Sequence, residues 1–308
     1  MAKLRADRLA TLCLFHPLRR LVRPRRQTIP ILMYHSVSET NNRGQHPYFE
    51  TATTPQVFQE HVKFLHDNGY RTASLDEAVS ALQNAGGDLA KRVVITFDDG
   101  YRDFYTHAFP VLSAYGYGAT VFLPTAFIGE SPLKFKGVEC LTWSEVRSLH
   151  KAGVRFGSHT VSHPQLTEVA PDRLDYEIRG SKQTLEDKLG CHVDSFAYPY
   201  AFPEANRAFK RRLRAHLEDA GYTSGVSTVV GRADGTSGVF FMKRLPMNSH
   251  DDLSLFRAKL EGGYDWLHAF QVGRKLLAAY WPAAAGGWRP GTQTVAAGSG
   301  RGKAGQDG

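Results

Sequence analysis

Short apolar, β-branched runs alternate with longer stretches of helical periodicity along this chain. That order constrains it most, because parallel strands need a crossover connection between each pair. The strand-like runs are Ile29 to His35, Arg92 to Phe97, Ala119 to Leu123, Arg155 to Gly157, Val193 to Ala197 and Thr223 to Ser227. Helical periodicity occupies Pro55 to Asn68, Leu75 to Ala85, Phe104 to Tyr115, Trp143 to Ala152, Pro171 to Leu189 and Pro203 to Ala220. Gly69, Gly116, Gly153, Gly190 and Gly221 stand where helix ends want a left-handed cap. The pattern predicts an α/β domain with a parallel sheet over residues 29–262, closed by a helix at 251–262. Residues 263–282 contain a separate amphipathic helix, Tyr264 to Trp281, that packs on the domain. Residues 283–308 hold eight glycines in 26 positions and too few large apolar side chains to order themselves.

Charge is confined to the ends. The net charge is +8, but residues 1–26 carry +7 and residues 283–308 carry +2, leaving the middle near −1. No basic field covers the folded body, so nucleic acid is not expected as a partner. Residues 1–28 read as a basic arm, first as a frayed terminus and second as a peripheral contact with an anionic membrane. The apolar run Leu9 to Phe15 is short and lacks a cleavage pattern, so a cytoplasmic location is expected. Cys13, Cys140 and Cys191 are odd in number and far apart, which argues against a disulfide framework or a thiolate metal site.

Two elements carry chemistry. The buried-type strand Val93-Val94-Ile95-Thr96-Phe97 delivers Asp98 and Asp99, followed by Gly100. Neighbouring side chains on a strand point to opposite faces, so both acids serve one site only where the backbone turns, and Gly100 permits that turn. Such strand ends are where barrels and open sheets keep catalytic groups. The second element is Ser158-His159-Thr160-Val161-Ser162-His163, after another short apolar run. Histidines four apart on a helical turn would stand about 6 Å apart, close enough to chelate one ion. Two histidines with a carboxylate and open positions make a catalytic metal set.

On these residues the sequence resembles the polysaccharide deacetylase family, the NodB-homology domain of carbohydrate esterase family 4. Thr96-Phe97-Asp98-Asp99-Gly100 matches its first motif and His159-Thr160-Val161-Ser162-His163 its second. The resemblance implies a distorted (β/α)7-type barrel and hydrolysis of N-acetyl or other N-acyl groups on the amino sugars of a polysaccharide. It implies that Asp99, His159 and His163 hold one divalent ion, zinc before cobalt, nickel or manganese, where a water is activated, and that Asp98 is the general base.

The third family motif, R-x-P-Y, reads Ala197-Tyr198-Pro199-Tyr200 here, so the arginine that helps orient the catalytic Asp is missing. Arg244, beyond the last expected strand, either replaces it or is a surface or packing residue. The resemblance gives the backbone N–H of Tyr200 the oxyanion role. The family's late catalytic histidine has two candidates, His35 and His250. His35 in Met33-Tyr34-His35 closes the first strand and is preferred as general acid, whereas His250 sits in what looks like a helix N-cap. Tyr200, with Pro199, and Trp143 are candidate walls of a sugar-binding groove. Two other readings stay open: a deacylase of a lipid-linked amino sugar at the cytoplasmic membrane face, and a non-catalytic glycan-binding relative.

Overall fold

The computed structural model describes residues 5–21, 27–39, 50–84, 89–236 and 238–268. The expected disordered tail at 283–308, and most of the helix expected at 264–281, lie outside the described residues. Seven strands form the centre: β1 (Ile31–Tyr34), β2 (Arg92–Phe97), β3 (Thr120–Leu123), β4 (Arg155–Ser158), β5 (Ser195–Ala197), β6 (Ser224–Val230) and β7 (Met242–Pro246). Each pairs in parallel with the next, and β1 pairs with both β7 and β2, so the sheet closes on itself. This is the distorted (β/α)7-type barrel that the resemblance implied. A short strand, Arg71–Thr72, adds to β2 from outside.

The closing strand β7 has no counterpart in the sequence reading. Its segment, Met242-Lys243-Arg244-Leu245-Pro246, places two cations in five residues and so does not look like a buried strand. Arg244 therefore lies on a barrel strand and not beyond the last one.

Period-two alternation divides every strand between an inner and an outer face. Leu32, Tyr34, Val93, Ile95, Phe97, Val121, Leu123, Phe156, Phe196 and Leu245 join the large outer core beneath the helices. Ile31, Val94, Phe122, Ala197, Val226 and Met242 meet inside the barrel, where Leu75 and Ala78 join the same cluster. Continued to the C-terminal ends of the strands, the inner parity gives His35, Asp98, His159 and Arg244. On β4 the inner position is Gly157, and a Cβ there would lie 2.5 Å from the Phe122 ring. The tapering interior leaves room for one large side chain at that level, and Phe122 takes it.

Residues 5–21 of the N-terminal arm are not frayed. Ala6–Ala10, Thr11–Phe15 and His16–Leu21 form three consecutive helical segments, the middle one a π-turn. Arg5 is buried and reaches Asp251 Oδ1 at 3.2 Å; Asp251 also pairs with Lys259 at 2.7 Å. His61 Nε2 donates to the Asp251 carbonyl at 2.6 Å, and the Tyr34 hydroxyl donates to His61 Nδ1 at 3.0 Å. Burial holds the His61 pKa down at about 4, so this imidazole is neutral, as a donor-acceptor relay between two elements requires. One charge of the expected solvated arm, Arg5, is thus spent inside the fold.

Candidate active site

The first acidic pair sits where β2 ends. Asp98 keeps the inward strand parity, while Asp99 and Gly100 both adopt left-handed backbone, φ 70° and 62°. That turn swings the second carboxylate to the same side as the first. A Cβ on Gly100 would meet Leu123 Cδ2 at 2.6 Å, so glycine is required there by space as well as by φ.

His159 and His163 do not lie on a helical turn. Thr160 and His163 have positive φ, and the segment is a tight loop leaving β4. The loop is built by side-chain hydrogen bonds: Ser158 Oγ accepts from Thr160 N at 3.2 Å and Thr160 Oγ1 from His163 N at 2.9 Å. The largest contribution comes from Glu177, a buried carboxylate that accepts from Val161 N (3.0 Å), Ser162 N (2.8 Å) and Ser162 Oγ (2.6 Å). Sequence reasoning missed Glu177, because within Pro171 to Leu189 it reads as one polar position of an amphipathic helix. Glu177→Ala is expected to lower metal affinity about 10–100-fold, the range for outer supports of a metal site. It should cost about 1–3 kcal/mol of stability through orphaned buried donors; metal titration and thermal melts of the variant check both.

Asp99 Oδ1 lies 3.2 Å from His163 Nε2 and 3.5 Å from His159 Nε2. Ligand atoms of these three buried residues all fall within 4.8 Å of one another. Whether they suit an ion is decided by His159. Its Nδ1 sits 2.8 Å from the Ala197 carbonyl, which can only accept, so Nδ1 carries a proton and Nε2 is the ring nitrogen turned toward Asp99. Burial takes His163 down to about 4, against the pull of Asp99, so this imidazole is neutral near pH 7. Asp99 Oδ1 is buried with no hydrogen-bond partner. Two imidazoles and a carboxylate thus converge in a buried pocket, a donor set that suits a divalent cation. Burial alone would raise the Asp99 carboxyl; the close approach of the His159, His163 and His35 imidazoles outweighs it and holds it well below the usual carboxylate range.

Asp98 is held by Arg244. Both groups are fully buried, and the guanidinium meets the two carboxylate oxygens at 2.7 Å each. Arg244 Nε also donates to the Ser227 carbonyl at 3.0 Å and Nη1 to Thr96 Oγ1 at 3.2 Å, which fixes the fork in its plane. Burial pushes the Asp98 pKa up, but Arg244 and His159 outweigh it and the carboxylate stays ionised. Ala197, where the resemblance placed an arginine, packs among the apolar side chains inside the barrel.

A cleft of about 570 Å³ opens above these groups, lined by His35, Asp98, Asp99, His159, His163 and Tyr200 among others. Burial lowers the His35 pKa, opposed by the charges of Asp99 and Asp98. Tyr200 is 45% exposed, stands edge-on to His163 with centroids 4.6 Å apart, and carries Lys136 Nζ 5.0 Å from its ring centroid. Two expected groove walls are corrected. Trp143 is buried in the outer core at the first turn of helix Trp143–Lys151, directed there by the capping box that Thr142 forms with Glu145. Pro199 is buried and does not line the cleft. His250 pairs with Glu50 at 2.6 Å and also lies outside the cleft lining; the helix N-cap is Asp252.

Comparison with known proteins fits this geometry. Residues 85–225 match the family described as polysaccharide deacetylase. A Bacillus subtilis protein bearing the name polysaccharide deacetylase YxkH is 32% identical over 233 residues, 76% of each chain. The chain belongs to the polysaccharide deacetylase family. It is accordingly an enzyme, a hydrolase that deacetylates polysaccharide. The solved Streptococcus pyogenes deacetylase PplD, in complex with acetate, superposes with a TM-score of 0.67 at 26% identity, covering 76% of this chain and 99% of that one. The poly-β-1,6-N-acetyl-D-glucosamine N-deacetylase of Escherichia coli is 34% identical over 115 residues, which span 34% of this chain but only 17% of that protein. Among the described residues of this polysaccharide deacetylase, no helix is long and apolar enough to cross a membrane.

Proposed function

We propose that this deacetylase removes N-acetyl groups from the amino sugars of a polysaccharide, with Asp99, His159 and His163 holding a divalent ion and Asp98 as general base. The observation that carries the reading is the pairing of a buried, converging Asp-His-His set with a neighbouring carboxylate locked by a buried arginine. Names of relatives that act on poly-β-1,6-N-acetyl-D-glucosamine support that polymer as the first substrate to test.

Bound at the three ligands, a divalent ion supplies Lewis acidity toward the acyl oxygen and lowers the pKa of a water. Asp98 takes a proton from the attacking water; Arg244 keeps its two oxygens in one plane and charged until that moment. The N–H of Tyr200 is the proposed donor to the developing oxyanion. When the C–N bond breaks, His35 gives the nitrogen its proton, and acetate and a free amine leave. Because burial keeps His35 neutral at rest, it must gain a proton before cleavage, and the charges of Asp99 and Asp98 favour that. The missing third-motif arginine was the ground for a non-catalytic relative, and Arg244 now stands at the carboxylate it would have served.

Acetate release from β-1,6-linked N-acetylglucosamine oligomers tests the proposal. Activity is expected with the purified chain, is lost after chelation, and returns with zinc, cobalt, nickel or manganese. A chelated, metal-free protein that still turned over at full rate would overturn the metal assignment. A lipid-linked N-acetyl amino sugar serves as the competing substrate in the same assay.

A further inference from the structure

The N-terminal helical run has two faces, and only one of them is used by the fold. On the inner face Thr11 Oγ1 accepts from Trp266 Nε1 at 3.0 Å, and Phe15 stacks on the Trp266 ring with centroids 4.5 Å apart. His16 pairs with Glu261 at 2.7 Å, and Arg8 with Asp252 at 2.6 Å. On the outer face Leu9, Leu14, Leu18 and Leu21 are 44%, 51%, 50% and 82% exposed. They are four of the nine exposed large hydrophobic side chains among the described residues. Leu14, Leu18 and Leu21 follow the i, i+4, i+7 spacing of a single stripe.

Packing cannot account for that stripe, since the face opposite it already makes the contacts to helix Leu253–Leu260 and to Trp266. Charge identifies its partner. The sequence carries Arg19, Arg20, Arg23, Arg25 and Arg26 at and just beyond the end of the stripe, while the body between residues 27 and 282 is near −1. An apolar stripe followed in sequence by clustered arginines matches a surface that is apolar a few ångströms down and anionic at its face. We propose that this helix anchors the enzyme to an anionic lipid bilayer, lying in the plane of the interface with its leucines inserted.

The anchor is compatible with catalysis. Arg5 and Arg8 pair with Asp251 and Asp252 at the start of helix Leu253–Leu260, and His16 pairs with Glu261 at its end, so the two helices run in the same direction. Helix Leu253–Leu260 descends from the rim that bears the cleft, so Leu14 to Leu21 lie toward the far end and leave the cleft open.

Flotation of the full chain with phosphatidylcholine vesicles, with and without phosphatidylglycerol, tests the inference independently of any deacetylase activity. The chain is expected to float only with the anionic vesicles and to be released by high salt. The double variant Leu14→Ser, Leu18→Ser alters exposed positions and should melt at the wild-type temperature while its partition coefficient falls about ten-fold or more. Failure to float with anionic vesicles, or equal flotation of the double variant, overturns the proposal. So does a dimer in sedimentation velocity that the two serines dissolve, since that outcome would assign the stripe to a second copy of the chain.

Discussion

Asp98→Asn is expected to lower kcat for acetate release by about 10²–10⁴-fold, the range that a positioned general base contributes. The change keeps the shape of the side chain and one oxygen to accept from Arg244; it removes the basic site and one of the two acceptors of the guanidinium. Metal content, measured on the purified variant, should stay at the wild-type level, because Asp98 is not among the three converging ligands. His159→Ala gives the contrast: it deletes one of those ligands and should lose metal and activity together. The two variants separate a proton acceptor from a metal ligand although the two aspartates are adjacent. Near wild-type turnover in Asp98→Asn would sink the base assignment. Some loss of stability accompanies it, since Arg244 keeps a buried charge with a neutral partner, so turnover is to be compared at a temperature where both proteins are folded.

The sequence carried the constellation Asp98, Asp99, His159 and His163 because each pair is contiguous and directly follows an apolar strand, so local order alone implies proximity. It carried the barrel for a related reason: six of the seven strands are largely buried and fall within short runs of apolar or small residues. Three of the failures share one physical origin, which is that charge stood where exposure was expected. Arg244 and Lys243 disguised β7, although a cation pointing into a barrel is tolerable where a carboxylate of another strand meets it. Arg5 disguised a docked helix whose partner, Asp251, lies 246 positions away. Glu177 disguised a loop support, because nothing local says that its three donors come from residues 161 and 162. Trp143 is a different case. Thr142 and Glu145 spell a capping box that fixes where the helix begins, and that signal could have placed Trp143 on the inward first turn.

Arg244→Met is expected to be the most damaging single change outside the metal ligands. Both members of the pair are fully buried, and removing the guanidinium leaves the Asp98 carboxylate without a countercharge inside the barrel. Breaking such a pair costs about 3–5 kcal/mol, a large share of the stability of a domain this size, so the melting temperature should fall clearly. Turnover should fall as well, because an unpaired Asp98 is free to rotate or to take up a proton. Stability loss alone does not distinguish an orienting arginine from a merely structural one, and a second substitution does. The family places its arginine at the position held here by Ala197, whose side chain faces the same interior from β5. Adding Ala197→Arg to Arg244→Met returns a guanidinium to the barrel from a different strand while removing the old one. If the carboxylate needs only a cation fork aimed at it, the double variant recovers a measurable part of the lost kcat and of the lost melting temperature. If Arg244 matters instead through its bonds to Ser227 and Thr96, which bind β6 and β2 to β7, then Ala197→Arg restores neither. The two outcomes differ in sign at the double variant, where additivity would predict further damage from an extra buried charge.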